Sequence, residues 1–302
     1  MAHFYFALTN PEADGLLKEE VKNFYPELKL SYSRPGFLTF KANHPVFWKP
    51  LFARVAGVSH GKVREDEIKV QRAWLYKREA SYLPPKALQD LSDKTIFKIG
   101  ETVTLVMMIG EDEYWIGEYP LSPTHFQTPG EVSSILEVAA PSRAYYKIAE
   151  AFEAFDLPFD HQERVLELGS APGGASQFLL EQDMQVLGVD PAQMDEKILK
   201  HINFKHLRKP FEHLEQGDFS KDVDWIVSDI NLPPTIILKE IDRLLKFLEP
   251  RGLVLTLKMN DPKHLELLSE TVANFKKKGF RKVELKYLPS HRQEIALIAL
   301  RS

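Results

Sequence analysis

Apolar and polar residues alternate most regularly in the second half of the chain. From Pro141 onward, short apolar runs of the kind found in buried strands alternate with longer stretches whose apolar residues recur at helical spacing. The predicted strands are RVLELGS, QVLGVD, DWIVSDI and GLVLTLKM, with a short strand-like piece at FKHLRKP. The predicted helices are SRAYYKIAEAFEAF, GASQFLLEQD, TIILKEIDRLLKFLE and LELLSETVANFKKKG. Strands that alternate with helices predict an α/β domain with a mainly parallel, doubly wound sheet.

Two further strands are predicted at the end of the chain, RKVELKYLP and QEIALIALR. Their connection is too short for a crossover helix, so we expect them to pair antiparallel at one edge of the sheet. The predicted domain covers residues 141–302.

The first 62 residues have a different pattern. HFYFALTN alternates as a strand does, PEADGLLKEEVKNFYP has helical spacing, and LKLSYSRPGFLTFKA is two strands around a turn at Arg34-Pro35-Gly36. PVFWKPLFARVAG is predicted as a second amphipathic helix. This order predicts a small α+β, ferredoxin-like unit over residues 1–62.

Residues 63–140 lie between these two regions. TVTLVMMIG and YWIGEY, on either side of an acidic turn, predict a hairpin. SPTHFQTPGEVSS is rich in turn formers and is predicted to be a linker.

The amino-acid composition excludes several classes of protein and of catalytic site. Of the 302 residues, 44% are hydrophobic and 27% charged, as in an ordinary globular protein, and no apolar run approaches the ~20 residues of a membrane span. The N-terminus lacks the pattern of a signal peptide, and the chain has no cysteine, so a cytoplasmic location is expected.

Without cysteine, a thiol nucleophile, a zinc–thiolate site and an iron–sulfur cluster are excluded, and we predict no metal. The net charge of −4 means that positive charge for RNA would have to be gathered locally.

The string LELGSAPGG predicts a cofactor site. An apolar strand ends there, and a glycine-rich turn leads into the next helix, where glycine lets the backbone approach a ligand closely. The next strand ends in Asp190, which suits a carboxylate bound to a ribose diol. A plain tight turn is the alternative. The candidate loop residues are Gly169, Ser170, Ala171, Pro172, Gly173 and Gly174.

The loop also restricts the kind of cofactor. Ala171 stands where a dinucleotide-binding loop has its second glycine, and the G-K-[ST] ending of a P-loop is missing. The loop contains no lysine or arginine, so a nucleoside cofactor with few phosphates fits better than a dinucleotide.

Four charged residues are expected at one rim of the sheet. Asp229 and Lys258 come at the tips of two parallel strands, and Glu294 begins a strand that runs the other way. A fourth residue, Lys147, lies in the helix before the cofactor strand. An amine with a lowered pKa, oriented by carboxylates, suits removal of a proton from a weakly acidic hydroxyl. Ordinary solvated charges are the alternative for each residue alone.

LELGSAPGGASQ resembles the first motif of the FtsJ-type ribose 2′-O-methyltransferases, close to L-D-L-G-x-x-P-G-G-W-S-Q, with Ala175 where the family commonly has Trp. The resemblance implies a Rossmann-like fold and S-adenosylmethionine as cofactor, with Asp229 beside it. The Lys-Asp-Lys-Glu order matches the family's tetrad, which makes Lys258 the general base, Asp229 and Glu294 its orienting carboxylates, and Lys147 a substrate-positioning cation.

A second similarity concerns RNA. PSRAYYK is similar to the family's S-R-x-x-x-K stretch, which implies that Ser142 and Arg143 contact the substrate RNA. The alternative is an ordinary helix start with Ser142 as N-cap, and both can hold. Several basic stretches, FKHLRKP among them, could bind RNA or be ordinary solvated surface.

The layout of the whole chain resembles the RlmM-like branch, which carries a ferredoxin-like unit and a THUMP domain ahead of the catalytic domain. FYFALTNPEADGLLKEEV and EDEYWIGEYPLSP carry this looser similarity, and it makes residues 63–140 a THUMP-like RNA-binding region. The implied function is 2′-O-methylation of large-subunit ribosomal RNA. An RNA-binding factor that has lost catalysis, and a methyltransferase of protein or small molecules, are the alternatives.

Overall fold

The computed structural model describes residues 2–85, 88, 96–121, 138–219 and 222–301. The chain forms two compact units, residues 1–133 and 134–302. The predicted linker SPTHFQTPGEVSS lies outside the described residues. No described helix is long and apolar enough to cross a membrane.

The N-terminal unit is built on one seven-stranded sheet with the order β2-β3-β1-β4-β7-β6-β5. Its strands are β1 (His3–Leu8), β2 (Lys29–Arg34), β3 (Phe37–Ala42), β4 (Val55–Val63), β5 (Trp74–Lys77), β6 (Thr102–Gly110) and β7 (Glu113–Pro120), and helix α1 spans Asp14–Phe24. The first predicted helix, the β2–β3 turn and the β6–β7 hairpin are confirmed. Strand β4 runs across the predicted boundary at residue 62, and it pairs with β1 and β7, so residues on both sides of that boundary share one sheet. The ferredoxin-like and THUMP-like assignments stay predictions.

The predicted second helix, PVFWKPLFARVAG, is wrong. Residues 45–54 are irregular, and the segment then enters β4. Pro45 and Pro50 have no backbone N–H to donate to a helical hydrogen bond. Other backbone N–H groups of this segment donate to a side chain elsewhere in the unit. The Glu20 carboxylate accepts the N–H groups of Leu51 and Phe52 at 2.5 and 3.0 Å. The apolar residues of this segment therefore do not form one buried helical face: Pro50 and Phe52 are buried, whereas Phe47 is 91% exposed.

The C-terminal unit has the predicted α/β architecture. Its sheet has the order β10-β9-β8-β11-β12-β14-β13. The strands are β8 (Arg164–Leu168), β9 (Gln185–Val189), β10 (Phe204–Leu207), β11 (Trp225–Ser228), β12 (Gly252–Lys258), β13 (Lys282–Lys286) and β14 (Glu294–Leu300). The helices are α2 (Ala144–Phe155), α3 (Gly174–Glu181), α4 (Glu196–Leu199), α5 (Pro234–Leu244) and α6 (His264–Lys277).

Strand direction decides where the functional residues meet. Strands β8 to β12 are parallel, while β14 lies antiparallel between β12 and β13, which forms the edge. Strands β11, β12 and β14 are buried throughout, which fits their continuous apolar sequences. The carboxyl ends of the parallel strands and the amino end of β14 therefore share one rim.

We predict that Glu20→Ala destabilises the N-terminal unit by ~2–4 kcal/mol. Glu20 is 6% exposed, and its loss leaves the N–H groups of Leu51 and Phe52 without their acceptor. Urea denaturation followed by tryptophan fluorescence measures the free energy of unfolding. The control is Glu19→Ala, which removes a partly exposed ion pair with Lys22 and should change that free energy by less than ~0.5 kcal/mol. Equal effects of the two substitutions would contradict the role given to Glu20.

Candidate active site

The fold brings the four predicted charged residues together at the rim. Strand β11 ends at Ser228, so Asp229 is the first residue beyond it, and Lys258 is the last residue of β12. Glu294 opens β14 and is the register partner of Lys258. Lys147 comes from the buried face of α2.

The four side chains form a closed network of ion pairs. The Lys258 Nζ lies 2.8 Å from Asp229 Oδ1 and 3.3 Å from Glu294 Oε1. The Lys147 Nζ lies 2.7 Å from Glu294 Oε1 and 3.2 Å from Asp229 Oδ2. Each ammonium group therefore contacts both carboxylates, and the side chains are only 6–12% exposed.

The two lysines differ in their proton affinity. Burial lowers the pKa of Lys258 below that of an ordinary lysine, and the charge of Lys147 adds to this against the opposing effect of Asp229. Burial also acts to lower the pKa of Lys147, but Asp229 and Glu294 outweigh it and raise that pKa. Burial acts to raise the pKa of Glu294, yet the two lysines bring it down to about 2. Lys258 is thus the more easily deprotonated amine of the pair.

The glycine-rich loop lies on the neighbouring strand of the same rim. Gly169 and Gly173 have φ of +75° and +119°, which non-glycine residues rarely adopt, and α3 begins at Gly174. A Cβ on Gly169 would lie 2.2 Å from the Cγ1 of Ile230, so this glycine also permits the close packing of the β11 tip. The loop that also contains Ser170, Ala171 and Pro172 is thereby fixed beside Asp229.

Asp190 fixes the loop from the adjacent strand. Its Oδ2 accepts the N–H of Ala171 at 3.2 Å, and its Oδ1 accepts the N–H of Ala192 at 2.8 Å. The carboxylate is partly exposed, so it keeps acceptor sites that can face a ligand. A loop without lysine or arginine, next to a carboxylate, fits a ribose-containing cofactor with a positively charged group. Among the described residues, no group of three or more His, Asp or Glu could hold a metal ion.

Ser142 and Arg143 lie at the start of α2, against the loop and the rim. The Ser142 Oγ accepts the N–H of Ala144 at 3.4 Å, and a Cβ on Gly174 would lie 2.2 Å from it. Ser142 therefore packs the start of α2 against the start of α3. Arg143 is exposed and donates to the carbonyl of Ser290 at 3.0 Å. Contact of either residue with RNA stays a prediction.

Sequence reasoning missed Glu167, which lies inside β8. Its Oε2 accepts the Ser176 hydroxyl at 2.5 Å, and burial raises its pKa to about 8. A charged residue within the apolar run RVLEL was the available signal. Glu167 ties β8 to α3 directly beneath the glycine-rich loop.

Several basic side chains of the stretch FKHLRKP form hydrogen bonds or ion pairs within the C-terminal unit. His206 Nε2 lies 2.9 Å from the carbonyl of Asp190, and Arg208 donates to the carbonyl of Pro191 at 3.1 Å. Lys209 pairs with Asp218 at 2.5 Å. The contacts of His206 and Arg208 hold the backbone around Asp190.

Comparison with known proteins identifies one matching family model, and relatives whose similarity covers part of the chain. The family model for FtsJ-like methyltransferase matches residues 140–294, about half of the chain. Ribosomal RNA large subunit methyltransferase M proteins of Shewanella sp. (strain MR-4) and Shewanella baltica (strain OS155) are each 32% identical over 109 residues. These matches cover 34% of this chain and 30% of either relative. Fibrillarin of Aeropyrum pernix, solved with S-adenosyl-L-methionine natively bound, aligns with a TM-score of 0.40 at 15% identity and covers 65% of this chain and 81% of that chain.

We predict that the protein loses thermal stability as pH rises from about 5 to 8, and that Glu167→Gln reduces this loss. The pKa of Glu167 is raised from 4.5 to about 8, so its contribution to stability is complete below pH 4.5 and lost as pH rises through 8. Glu20, with a pKa raised to about 7, adds a similar slope, whereas the lowered pKa of Glu294 acts only in acid.

The melting temperature measured across this pH range tests the prediction. The exposed Glu212→Gln variant is the control and should keep the slope of the original protein. An unchanged slope in Glu167→Gln would show that Glu167 does not hold its proton in the folded state.

Proposed function

This chain belongs to the FtsJ-like methyltransferase family, whose methyl donor is S-adenosylmethionine, and we propose that it methylates the 2′-hydroxyl of an RNA ribose. The observation that carries this proposal is the buried network in which Lys258 contacts both Asp229 and Glu294. It supplies an amine base at the same rim as the glycine-rich loop. Because the carboxylates and both lysines are in place, the network favours an active enzyme over an RNA-binding factor without catalysis.

The residues that would hold the cofactor are those of the loop from Gly169 to Gly174, with Asp190 for the ribose diol. When bound, S-adenosylmethionine supplies a methyl group on a positively charged sulfur. A cation in this position lowers the pKa of a neighbouring ammonium group further, and Lys258 is the lysine whose pKa burial already lowers.

In the proposed mechanism, the protein positions the hydroxyl and removes its proton. The neutral Lys258 Nζ would accept the proton of the ribose hydroxyl, and bound S-adenosylmethionine would supply the methyl group that replaces it, with S-adenosylhomocysteine as the neutral product. Asp229 and Glu294 hold the amine in place and stabilise the ammonium ion that forms. Lys147, whose pKa is raised, stays protonated. Its positive charge opposes the effect of the two carboxylates, which would otherwise raise the pKa of Lys258 and keep that lysine protonated.

The substrate class rests on the relatives and on one surface residue. The relatives are named as methyltransferases of large-subunit ribosomal RNA, and we propose the same substrate for this chain. Arg143 is exposed beside the rim, where it can contact a phosphate as well as the Ser290 carbonyl. Ser142, the residue before Arg143, is proposed as a second contact to the substrate RNA.

We predict that Lys258→Ala lowers methyl transfer by ~10²–10⁴-fold, because it removes the general base. Thermal stabilisation by S-adenosylhomocysteine should persist, since the loop is intact. Transfer of radiolabelled methyl to unmodified large-subunit ribosomal RNA is the assay, and the product should resist alkaline cleavage at the modified nucleotide. Lys246→Ala, an exposed lysine just after α5, is the matched control. Near-normal turnover by Lys258→Ala would exclude this base, and label on a nucleobase or on protein would exclude the ribose.

We also predict that Asp190→Ala weakens S-adenosylhomocysteine binding roughly 10–100-fold. The substitution removes both the acceptor for a ribose diol and the hydrogen bond to Ala171 that fixes the loop. Isothermal titration calorimetry measures the dissociation constant. Asp222→Ala, an exposed aspartate just before β11, should bind as the original protein does. If both variants bind equally well, Asp190 does not belong to the cofactor site.

A further inference from the structure

The backbone of Ser290 is held at both its N–H and its carbonyl by residues of the helix that carries Lys147. Ser290 lies in the connection between β13 and β14, four residues before Glu294. Its carbonyl accepts a hydrogen bond from the guanidinium group of Arg143 at 3.0 Å. Its N–H donates to the Oε2 of Glu150 at 2.8 Å. Helix α2 therefore fixes one point of this connection by two hydrogen bonds.

The spacing of these residues puts all three contacts on one helical face. Arg143, Lys147 and Glu150 follow one another by four and three residues, the spacing at which helical side chains are neighbours. The middle residue of the three, Lys147, contacts Glu294 itself at 2.7 Å. One face of α2 thus holds both Ser290 and the catalytic carboxylate that follows it.

The residues between Ser290 and Glu294 link this fixed point to the Glu294 side chain. The Glu294 Oε2 accepts the N–H of Arg292 at 2.7 Å, and the Gln293 carbonyl accepts the N–H of Met259 at 2.7 Å. Its other oxygen, Oε1, contacts Lys147 and Lys258. The carboxylate is therefore oriented by a short stretch of backbone whose other fixed point is Ser290.

Glu150 is suited to define that point. It is 0% exposed, and a buried carboxylate that accepts a backbone N–H is a costly group to keep without a purpose.

We propose that Glu150 is a positioning residue for methyl transfer, which fixes the β13–β14 connection through Ser290 so that Glu294 meets Lys147 and Lys258 in the catalytic geometry. This inference rests on the proposed function. Loss of the contact lets Glu294 move away from the lysines. Because an orienting error of about 1 Å can cost ~10²-fold in rate, turnover falls while substrate binding is kept.

The same displacement changes the pH dependence of turnover. Glu294 favours the protonated form of Lys258, against burial and the charge of Lys147, which lower its pKa. When Glu294 moves away, the Lys258 ammonium group keeps its contact with Asp229 and loses one of its two carboxylate partners. The acid limb of the rate profile then shifts to lower pH, an effect that simple loss of folded protein cannot produce.

The test compares Glu150→Ala, Glu150→Gln and the control Glu153→Ala, an exposed glutamate on the same helix. The assay is methyl transfer to large-subunit ribosomal RNA transcribed in vitro, with kcat, KM and the pH profile measured for each. We expect Glu150→Ala to lose roughly 10–100-fold in kcat with KM for RNA within about twofold, and to show the shifted acid limb. Glutamine keeps an acceptor for the Ser290 N–H, so Glu150→Gln should restore most of the rate, and Glu153→Ala should match the original protein.

Three results would overturn the inference: a normal kcat in Glu150→Ala, a reduced kcat with an unshifted acid limb, or no recovery in Glu150→Gln. If Glu150→Ala does not fold, as judged by S-adenosylhomocysteine stabilisation, Arg143→Ala tests the carbonyl side of the same contact, and an unshifted acid limb there is the contradicting result. Failure of the original protein to methylate RNA would instead overturn the proposed function, so the two failures are distinguishable.

Discussion

Two lysines and two carboxylates buried at one rim are the constraint on which the C-terminal unit depends. Any one of these charges would be expensive to bury alone, so the four are stable only when all are present and in contact. They come from α2, β11, β12 and β14, and the network therefore ties a helix to three neighbouring strands. Burial of the four charges costs free energy of folding, and the same burial lowers the pKa of Lys258.

Around this network lie three further acidic side chains, of which Glu150 and Glu167 are buried and Asp190 is partly exposed. Glu167 ties β8 to α3 below the glycine-rich loop, Asp190 holds the loop itself, and Glu150 holds the β13–β14 connection. Each carboxylate accepts a backbone N–H or a hydroxyl, so each fixes a segment and not merely a side chain. The rim is consequently preorganised: the glycine-rich loop and Lys258 are both fixed in position by the folded protein.

The rim that carries the four charged residues was more predictable than its surroundings. Asp229, Lys258 and Glu294 stand at strand ends, and the rule that parallel strands end at one edge brings them together without further information. The predicted helix at PVFWKPLFARVAG failed because Pro45 and Pro50 interrupt it, and Glu20, distant in sequence, accepts the N–H groups of Leu51 and Phe52. Glu150 gave no sequence signal, because its partner is a peptide group 140 residues away.

The sequence by itself determined the order of strands and helices in the C-terminal unit, the glycine-rich loop and the candidate charged residues, because these depend on local periodicity and on the short-range geometry of strand ends. Only the tertiary structure decided that each lysine contacts both carboxylates, that Lys258 and Lys147 differ in proton affinity, and that β14 inserts between β12 and β13. The physical reason is that burial and charge pairing are set by contacts between residues far apart in the chain, which no local pattern records.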